Sequence, residues 1–161
     1  MIGRKENFSE LWVSLNWKKF RKDLFGLQKR VFKAIRENNR RKARFLQKLI
    51  LKSRAARYLA IRQVTQLNAG KKTAGIDGKA SLTFEERFEL ETLLKTSASN
   101  WIHQGLKSIP IPKKDGSIRM LKIPTIAYFA RHCLAKYALE PAHEATFHAH
   151  SYGFRLLSLG T

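Results

Sequence analysis

The chain has 161 residues, of which 32 are Lys or Arg and 12 are Asp or Glu, for a formal net charge of +20. An apolar share of 43% is enough for a buried core and excludes a wholly disordered tail. The charge is unevenly placed, because residues 18–72 carry 19 Lys and Arg against only Asp23 and Glu37. A surplus of this size favours a polyanionic partner, and nucleic acid is the simplest one.

Cysteine content and hydropathy limit the cellular compartments that the sequence predicts for the protein. Cys133 is the only cysteine, so no disulfide can form within the chain and a reducing compartment is expected. The first residues, MIGRKENFSE, lack an apolar stretch of signal-peptide length, and no later run approaches the length of a membrane span. These features predict a cytoplasmic location in a bacterium, or an organellar one, without secretion and without a membrane partner.

Three amphipathic helices are predicted in the basic region. The first begins after Asn16, a good N-cap, and ends near Asn38 and Asn39. Its apolar stripe runs at steps of three and four residues through Trp17, Phe20, Leu24, Leu27, Val31 and Ile35. A second helix covers 40–53 with Ala43, Leu46 and Leu49 or Ile50 inward. A third follows over 54–70, with Leu59, Val64 and Leu67 as candidate core and Gly70 as its end.

A glycine-rich loop, GKKTAGIDGKASL, separates these helices from a fourth one. It is not a phosphate-binding P-loop, because the required earlier glycine is Thr65 and a helix replaces the preceding strand. Asp77 in this loop is interpreted as turn chemistry. Thr83 and Glu86 then form a predicted capping box, which opens a short helix ending near Lys95.

Beyond residue 105 the apolar period changes from helical to alternating. The segments LKSIPIP and SIRMLKIP flank KKDG, which predicts a β-hairpin with Asp115 and Gly116 at its turn. Pro110 and Pro112 make the first strand an edge strand or an irregular one. A last helix is predicted from Ile126 to about Leu139, ending before a proline.

The titratable residues do not form a recognisable catalytic or metal site. His143 and His148 are five residues apart, which turns them away from one helical face, so solvated or hydrogen-bonded histidines are the preferred interpretation. The few carboxylates offer no evident two-metal arrangement. No catalytic residue is therefore assigned.

The motifs in their order resemble the N-terminal part of group II intron-encoded reverse transcriptase/maturases. The segments that carry the resemblance are NWKK, LQKRVFKAI, LQKLILKS, AIRQVTQLNAGKKTAGIDG, IPKKDGSIRML, KYALEPAHEATF and SYGFR. The resemblance implies an α+β, mainly α fold, in which a basic helical block precedes a hairpin and helix like the fingers of a right-hand polymerase. It also implies an N-terminal domain over 1–95 and a partial fingers segment over 96–161.

The resemblance assigns expected roles to individual residues. The hairpin segment matches the fingers element that contacts the triphosphate of the incoming nucleotide, so Lys113 and Arg119 are the expected phosphate ligands. Residues 151–155 match a motif near the template. For the basic block, the implied partner is RNA, in particular intron RNA. Charge selects the candidate RNA-binding residues Arg40, Arg41, Lys42, Arg44, Lys48, Lys71 and Lys72, and the template motif adds Arg155.

The resemblance further implies that the metal-binding aspartates of the polymerase palm lie beyond residue 161. Two-metal phosphoryl transfer needs carboxylates to hold its ions. We therefore expect no cofactor in this chain, with Mg²⁺ required only by a complete family enzyme, and no polymerisation by the chain alone. A separate palm-bearing chain is a candidate partner.

Three hypotheses stay open on the sequence. The first is an RNA-binding, maturase-like fragment, and the second is one piece of a split or frame-interrupted RNA-directed DNA polymerase. The third is a remnant that binds nucleic acid without specificity. Tyr128, Phe129 and His132 depart from the residues usual in the family and favour the third. In every case we expect a stable helical block to about residue 95 and a looser remainder, because an isolated hairpin is marginal in water.

Overall fold

A computed structural model describes residues 7–68 and 73–147 of the chain. Within these residues the protein is mainly helical, with one antiparallel hairpin. This confirms the predicted fold class, which is α+β with mainly α structure. The elements in chain order are α1 (Phe8–Ser14), α2 (Trp17–Arg36), α3 (Arg40–Lys52), α4 (Arg54–Arg62), a π-helical turn (Gln63–Leu67), α5 (Phe84–Thr96), β1 (Lys107–Pro112), β2 (Ile118–Ile123) and α6 (Ile126–Thr146).

The backbone contacts divide the chain into two compact units. One, here called the helical unit, comprises Asn16–Ala60 and His132–Thr161. The other, the hairpin unit, comprises Met1–Leu15 and Ile61–Arg131. The domain boundary that the sequence suggests after residue 95 stays a prediction, and the two units are described separately below.

The helical unit is built on the amphipathic stripes of α2 and α3. Leu24, Val31 and Leu46 are buried in its core, together with small residues that let the helices approach closely. Leu27 and Ile35 pack against this core as half-buried side chains, as the sequence stripe predicts. Burial of these apolar side chains is the main stabilising contribution to the unit.

Asparagine side chains begin both long helices and shape the turn between them. The Asn16 side chain accepts a hydrogen bond from the Lys19 N–H, and Asn39 accepts one from the Lys42 N–H, which satisfies amide groups that have no partner inside the helix. Asn38 has φ 56°, in the left-handed region that asparagine tolerates better than most residues. The predicted start of α2 at Asn16 and its end near Asn38 are thereby confirmed.

Helix α6 contradicts the prediction that it stops before Pro141. It continues to Thr146, with Pro141 fully buried inside it. Proline has no N–H, so it leaves the carbonyl four residues earlier, that of Tyr137, without its helical donor. The side-chain amide of Gln28 supplies one instead, with Nε2 3.1 Å from the Tyr137 oxygen. This long-range hydrogen bond offsets the lost helical bond, and sequence reasoning on α6 alone does not include it.

In the hairpin unit, the third predicted helix changes character before it ends. Regular α-helix stops at Arg62, and a π-helical turn covers Gln63–Leu67. Val64 is buried as predicted, but the prediction that Leu67 is core is wrong, since its side chain is 61% exposed. The wider π turn shifts later residues off the helical face that a regular 3.6-residue period would give them.

Helix α5 confirms the capping box. Thr83 accepts a hydrogen bond from the Glu86 N–H, and the Glu86 carboxylate accepts one from the Thr83 N–H at 2.8 Å. The helix packs against α1, where Trp12 is buried and meets the Phe88 ring edge-on at 5.8 Å between centroids. Trp12 is thus a core residue of the hairpin unit.

The AGIDG loop makes a close backbone approach. A Cβ at Gly75 would lie 2.8 Å from the Pro124 carbonyl oxygen, so the site has no room for a side chain. Gly78 has φ +73°, and the Asp77 carboxylate accepts a hydrogen bond from the Lys79 N–H. These contacts confirm the interpretation of Asp77 as a turn residue.

The hairpin also forms as predicted. Strand β1 pairs with β2 in an antiparallel register that sets Pro110 opposite Met120 and Ile111 opposite Arg119. Gly116, with φ +80°, closes the connecting loop, and the Asp115 carboxylate accepts hydrogen bonds from the N–H and hydroxyl of Ser117. Both contacts with Ser117 lower the pKa of Asp115. None of the helices in the described ranges combines the length and apolar character needed to cross a membrane.

Candidate nucleic-acid interface

Helix α3 presents four of the eight predicted RNA-binding residues on one side. Its buried face is formed by Ala43, Leu46 and Ile50. At about 100° per residue, the four exposed cations Arg40, Arg41, Arg44 and Lys48 fall within roughly 100° of arc on the face turned away from that core. We call these four residues the α3 cationic face.

Lys42 lies apart from the α3 cationic face. It is exposed, but it is about 100° beyond Arg41 around the helix, on the other flank of the buried stripe. Its backbone N–H, by contrast, has a defined role in the Asn39 cap. Charge alone selected Lys42 together with its neighbours, whereas the helical geometry separates it from them.

A cleft of about 590 Å³ opens beside the α3 cationic face within the helical unit. Arg40 and Arg44 line it, and Arg36 from the last turn of α2 joins them. Arg36 is absent from the residues selected by sequence. Its position three residues before the Asn39 cap could have indicated it, because a short turn between helices brings the end of one beside the start of the next.

Helix α2 carries a second row of cations. Lys18, Lys22, Lys29 and Lys33 are all exposed, and their spacing puts them on the side opposite its buried stripe. The Phe25 ring is exposed in the same row, with the Lys29 Nζ 4.9 Å from its centroid. The sequence pattern predicts this helix as part of the basic block but singles out none of these residues.

Two carboxylates partly neutralise α2. Asp23 lies 2.8 Å from Lys19, and Glu37 lies 3.7 Å from Lys33. Both pairs are exposed, so each contributes little to stability. Over residues 7–68 and 73–147, no salt bridge engages the α3 cationic face or Arg36. The positive charge of this region is therefore open to an external anion.

Three predicted RNA-binding residues, Lys71, Lys72 and Arg155, lie outside the described residues. The same holds for the template motif over 151–155 and for His148. Their assigned roles stay predictions.

The two expected triphosphate ligands lie in or beside the hairpin of the other unit. Arg119 belongs to β2 and stands opposite Ile111 in the register, whereas Lys113 is the first residue after β1, at the start of the connecting loop. Both side chains are exposed. The Lys113 N–H donates to the Ser117 carbonyl at 2.8 Å, which fixes the backbone where the loop begins.

Comparison with known proteins identifies the family. Residues 12–94, just over half of the chain, match the N-terminal domain of reverse transcriptase. The chain belongs to this family. It is 42% identical over 139 residues to Maturase-like protein 1 of Euglena gracilis and 40% identical over 149 residues to Maturase-like protein 1 of Euglena longa. It is also 31% identical over 96 residues to Protein YkfC of Escherichia coli strain K12.

These matches cover unequal shares of the paired proteins. The two maturase-like alignments include 86% and 92% of this chain but 30% and 32% of the Euglena proteins. The match to Protein YkfC includes 58% of this chain and 25% of that protein. The chain thus spans about a third of the length of its maturase-like relatives. The family match and these alignments confirm the prediction that the chain is an N-terminal part of a reverse transcriptase/maturase.

Proposed function

We propose that the chain binds RNA through the basic helices of the helical unit, as the N-terminal part of a group II intron reverse transcriptase/maturase. The observation that carries this proposal is the α3 cationic face, a set of exposed cations without salt bridges among the described residues, backed by a buried apolar core. Membership of the reverse transcriptase N-terminal domain family and similarity to maturase-like proteins support it. Intron RNA, bound during splicing and mobility, is the proposed partner.

Like charges on α3 repel one another. Neighbouring cations on a helix destabilise it by a few tenths of a kcal/mol per pair when no counter-charge is present. Arg40 and Arg44, and Arg44 and Lys48, are such pairs at four-residue spacing. An RNA backbone supplies phosphates that remove this repulsion, and binding releases condensed counterions, so affinity depends strongly on salt.

Salt dependence tests the proposal on the full chain. If about six phosphates are engaged, the logarithm of the association constant should fall against the logarithm of salt concentration with a slope of roughly −4 to −5. Filter binding or fluorescence anisotropy with a structured RNA measures it. An affinity that hardly changes with salt would contradict phosphate-driven binding. Equal affinity for an unrelated RNA and for duplex DNA would favour the remnant hypothesis.

A second proposal concerns the hairpin. Lys113 and Arg119 would contact the triphosphate of an incoming nucleotide, with the palm aspartates and Mg²⁺ supplied by a complete enzyme or a separate palm-bearing chain. The exposure of both cations on a hairpin and the match of guanidinium and ammonium groups to phosphate oxygens support this role. In a reconstituted enzyme, Lys113→Ala with Arg119→Ala should raise the KM for deoxynucleotides and leave the Kd for RNA unchanged. An unchanged KM would contradict it.

A further inference from the structure

The cleft beside the α3 cationic face has the size of a small-ligand site. Its volume of about 590 Å³ falls in the range of pockets that hold a single nucleotide or cofactor fragment. The last turn of α2, the connecting turn at Asn38, the first half of α3 and the last turn of α6 form its walls. All of these segments belong to the helical unit.

The charged residues in the described lining of the cleft are all positive. Three arginines, Arg36, Arg40 and Arg44, are among its lining residues, and no Asp or Glu belongs to its described lining. The acidic residues nearest in sequence are engaged elsewhere or buried: Glu37 faces Lys33, Glu140 faces Lys136, and Glu144 is a buried residue of α6. Planar guanidinium groups match the geometry of phosphate oxygens better than ammonium groups do.

The turn that connects the arginine-bearing helices is closed by backbone hydrogen bonds. The Asn39 N–H donates to the Ala34 carbonyl at 2.8 Å, and the Asn38 N–H donates to the Ile35 carbonyl at 2.9 Å, so the turn between α2 and α3 is tightly bonded. Arg40 and Arg44 follow one helical turn apart on α3. Because the backbone of this turn is already bonded, binding an anion has to order only the arginine side chains, which reduces its entropic cost.

One wall of the cleft offers a flat ring. His143 lines it, and the Phe147 ring stacks on His143 with 6.4 Å between centroids and 26° between planes. Phe147 is exposed although it is large and apolar. Stacked rings at the edge of a cationic cleft are a typical support for a nucleobase, because every base has a π-face.

We propose that this cleft binds one nucleoside monophosphate unit of an RNA strand. The phosphate contacts Arg36, Arg40 and Arg44, and the base stacks against the His143–Phe147 ring pair. This inference rests on the proposed RNA-binding function and deepens it, since it separates one defined nucleotide site from the general attraction of the cationic surface.

The test uses the full chain with three small probes, AMP, adenosine and inorganic phosphate, followed by backbone NMR shifts. AMP should shift the amides of residues 36–44 and 143–147, and it should bind at least tenfold more tightly than adenosine or phosphate. Phosphate binding as tightly as AMP would overturn the role of the ring pair. AMP shifts spread over the hairpin and the helical unit alike would overturn the site itself.

Matched variants sharpen the result. Arg40→Gln with Arg44→Gln should weaken AMP binding at least tenfold, whereas the exposed pair Lys107→Gln with Lys122→Gln, which removes the same charge, should change it less than twofold. Phe147→Leu keeps an apolar side chain, so it should weaken AMP binding and leave the affinity for phosphate unchanged. This comparison does not depend on whether the arginine variant folds. Equal weakening of AMP by both charge variants would contradict the proposal.

The outcomes separate this inference from the function on which it rests. If structured RNA binds with the steep salt dependence but AMP produces no shifts at the cleft, the nucleotide site is wrong and the RNA-binding function stands. If AMP occupies the cleft but RNA does not bind, the RNA-binding function is wrong and the cleft is a site for free nucleotides.

Discussion

Helix α2 and the β1–β2 hairpin are both rich in regularly spaced apolar residues, yet they use them differently. Val31 in the second half of α2 is fully buried, whereas Ile118 and Met120 of β2 are 66% and 53% exposed. The hairpin has apolar residues on both faces, since Ile109 and Leu121 share one side and Pro110 and Met120 share the other. A regular apolar pattern thus predicts whether a segment forms a helix or a strand. Whether its apolar side chains become buried depends on chain segments far away in sequence.

Hydrogen exchange should give the largest difference between the two regions. Amides in the middle of α2 and α3 are expected to exchange only through global unfolding, while those of β1 and β2 should exchange through local opening, orders of magnitude faster. Exchange read by NMR or mass spectrometry on the free chain measures this. Similar protection in α2 and in the hairpin would contradict the predicted contrast between a stable helical block and a looser remainder.

Truncation of one apolar side chain in each region gives the next largest effect. Leu46 is fully buried, so Leu46→Ala should lower the free energy of unfolding by about 2–5 kcal/mol. Ile118→Ala removes an exposed side chain and should change it by less than about 0.5 kcal/mol. Urea denaturation followed by circular dichroism compares the two. Equal losses would mean that the hairpin is covered as well as the core.

The hydrogen bond between Gln28 and Tyr137 predicts a coupled pair of mutations. Gln28→Leu should destabilise the chain by about 1–3 kcal/mol, because the Tyr137 carbonyl then lacks a donor. In a Pro141→Ala background the restored helical N–H can take that carbonyl, so the cost of Gln28→Leu should shrink. A double-mutant cycle in urea measures the coupling. Additive effects would show that Gln28 does not compensate for the proline.

Acid should weaken the start of α5 through Glu86. A hydrogen bond from the Lys79 side chain, with the Thr83 backbone N–H, lowers the pKa of Glu86 below its ordinary value of 4.5. Its contribution is therefore present above the unfolded-state pKa and is lost as pH falls through the lowered folded-state pKa. Thermal unfolding between pH 7 and pH 3 should show a smaller acid-induced loss in Glu86→Gln than in the wild type. Identical losses would contradict the linkage.

Local signals made most of the fold predictable. Asn16, Thr83 and Gly116 mark two helix starts and a hairpin turn by chemistry confined to a few residues, and each prediction is confirmed. Two errors arose where non-local or irregular structure decides. Helix α6 passes through Pro141, and Gln28, more than a hundred residues earlier, donates to the freed Tyr137 carbonyl. Leu67 lies in the π turn and is exposed.

The candidate site was predictable in composition but not in arrangement. The density of positive charge in the sequence indicates α3 as the candidate site. The helical geometry nevertheless separates Lys42 from the α3 cationic face, and the turn at Asn38 brings Arg36 to the cleft. The ring pair of His143 and Phe147 carries no sequence pattern that would place it beside arginines of α2 and α3. Such juxtapositions depend on the packing of segments distant in sequence.

The central claim is that RNA binds the α3 cationic face rather than any positively charged surface of the chain. The most direct measurement compares the salt slopes of RNA binding for two variants of equal charge. One carries Arg40→Gln, Arg41→Gln, Arg44→Gln and Lys48→Gln, and the other carries Lys95→Gln, Lys107→Gln, Lys114→Gln and Lys122→Gln. The first slope should become shallower by roughly 3, and the second by less than about 1. Equal changes in the two slopes would contradict the account.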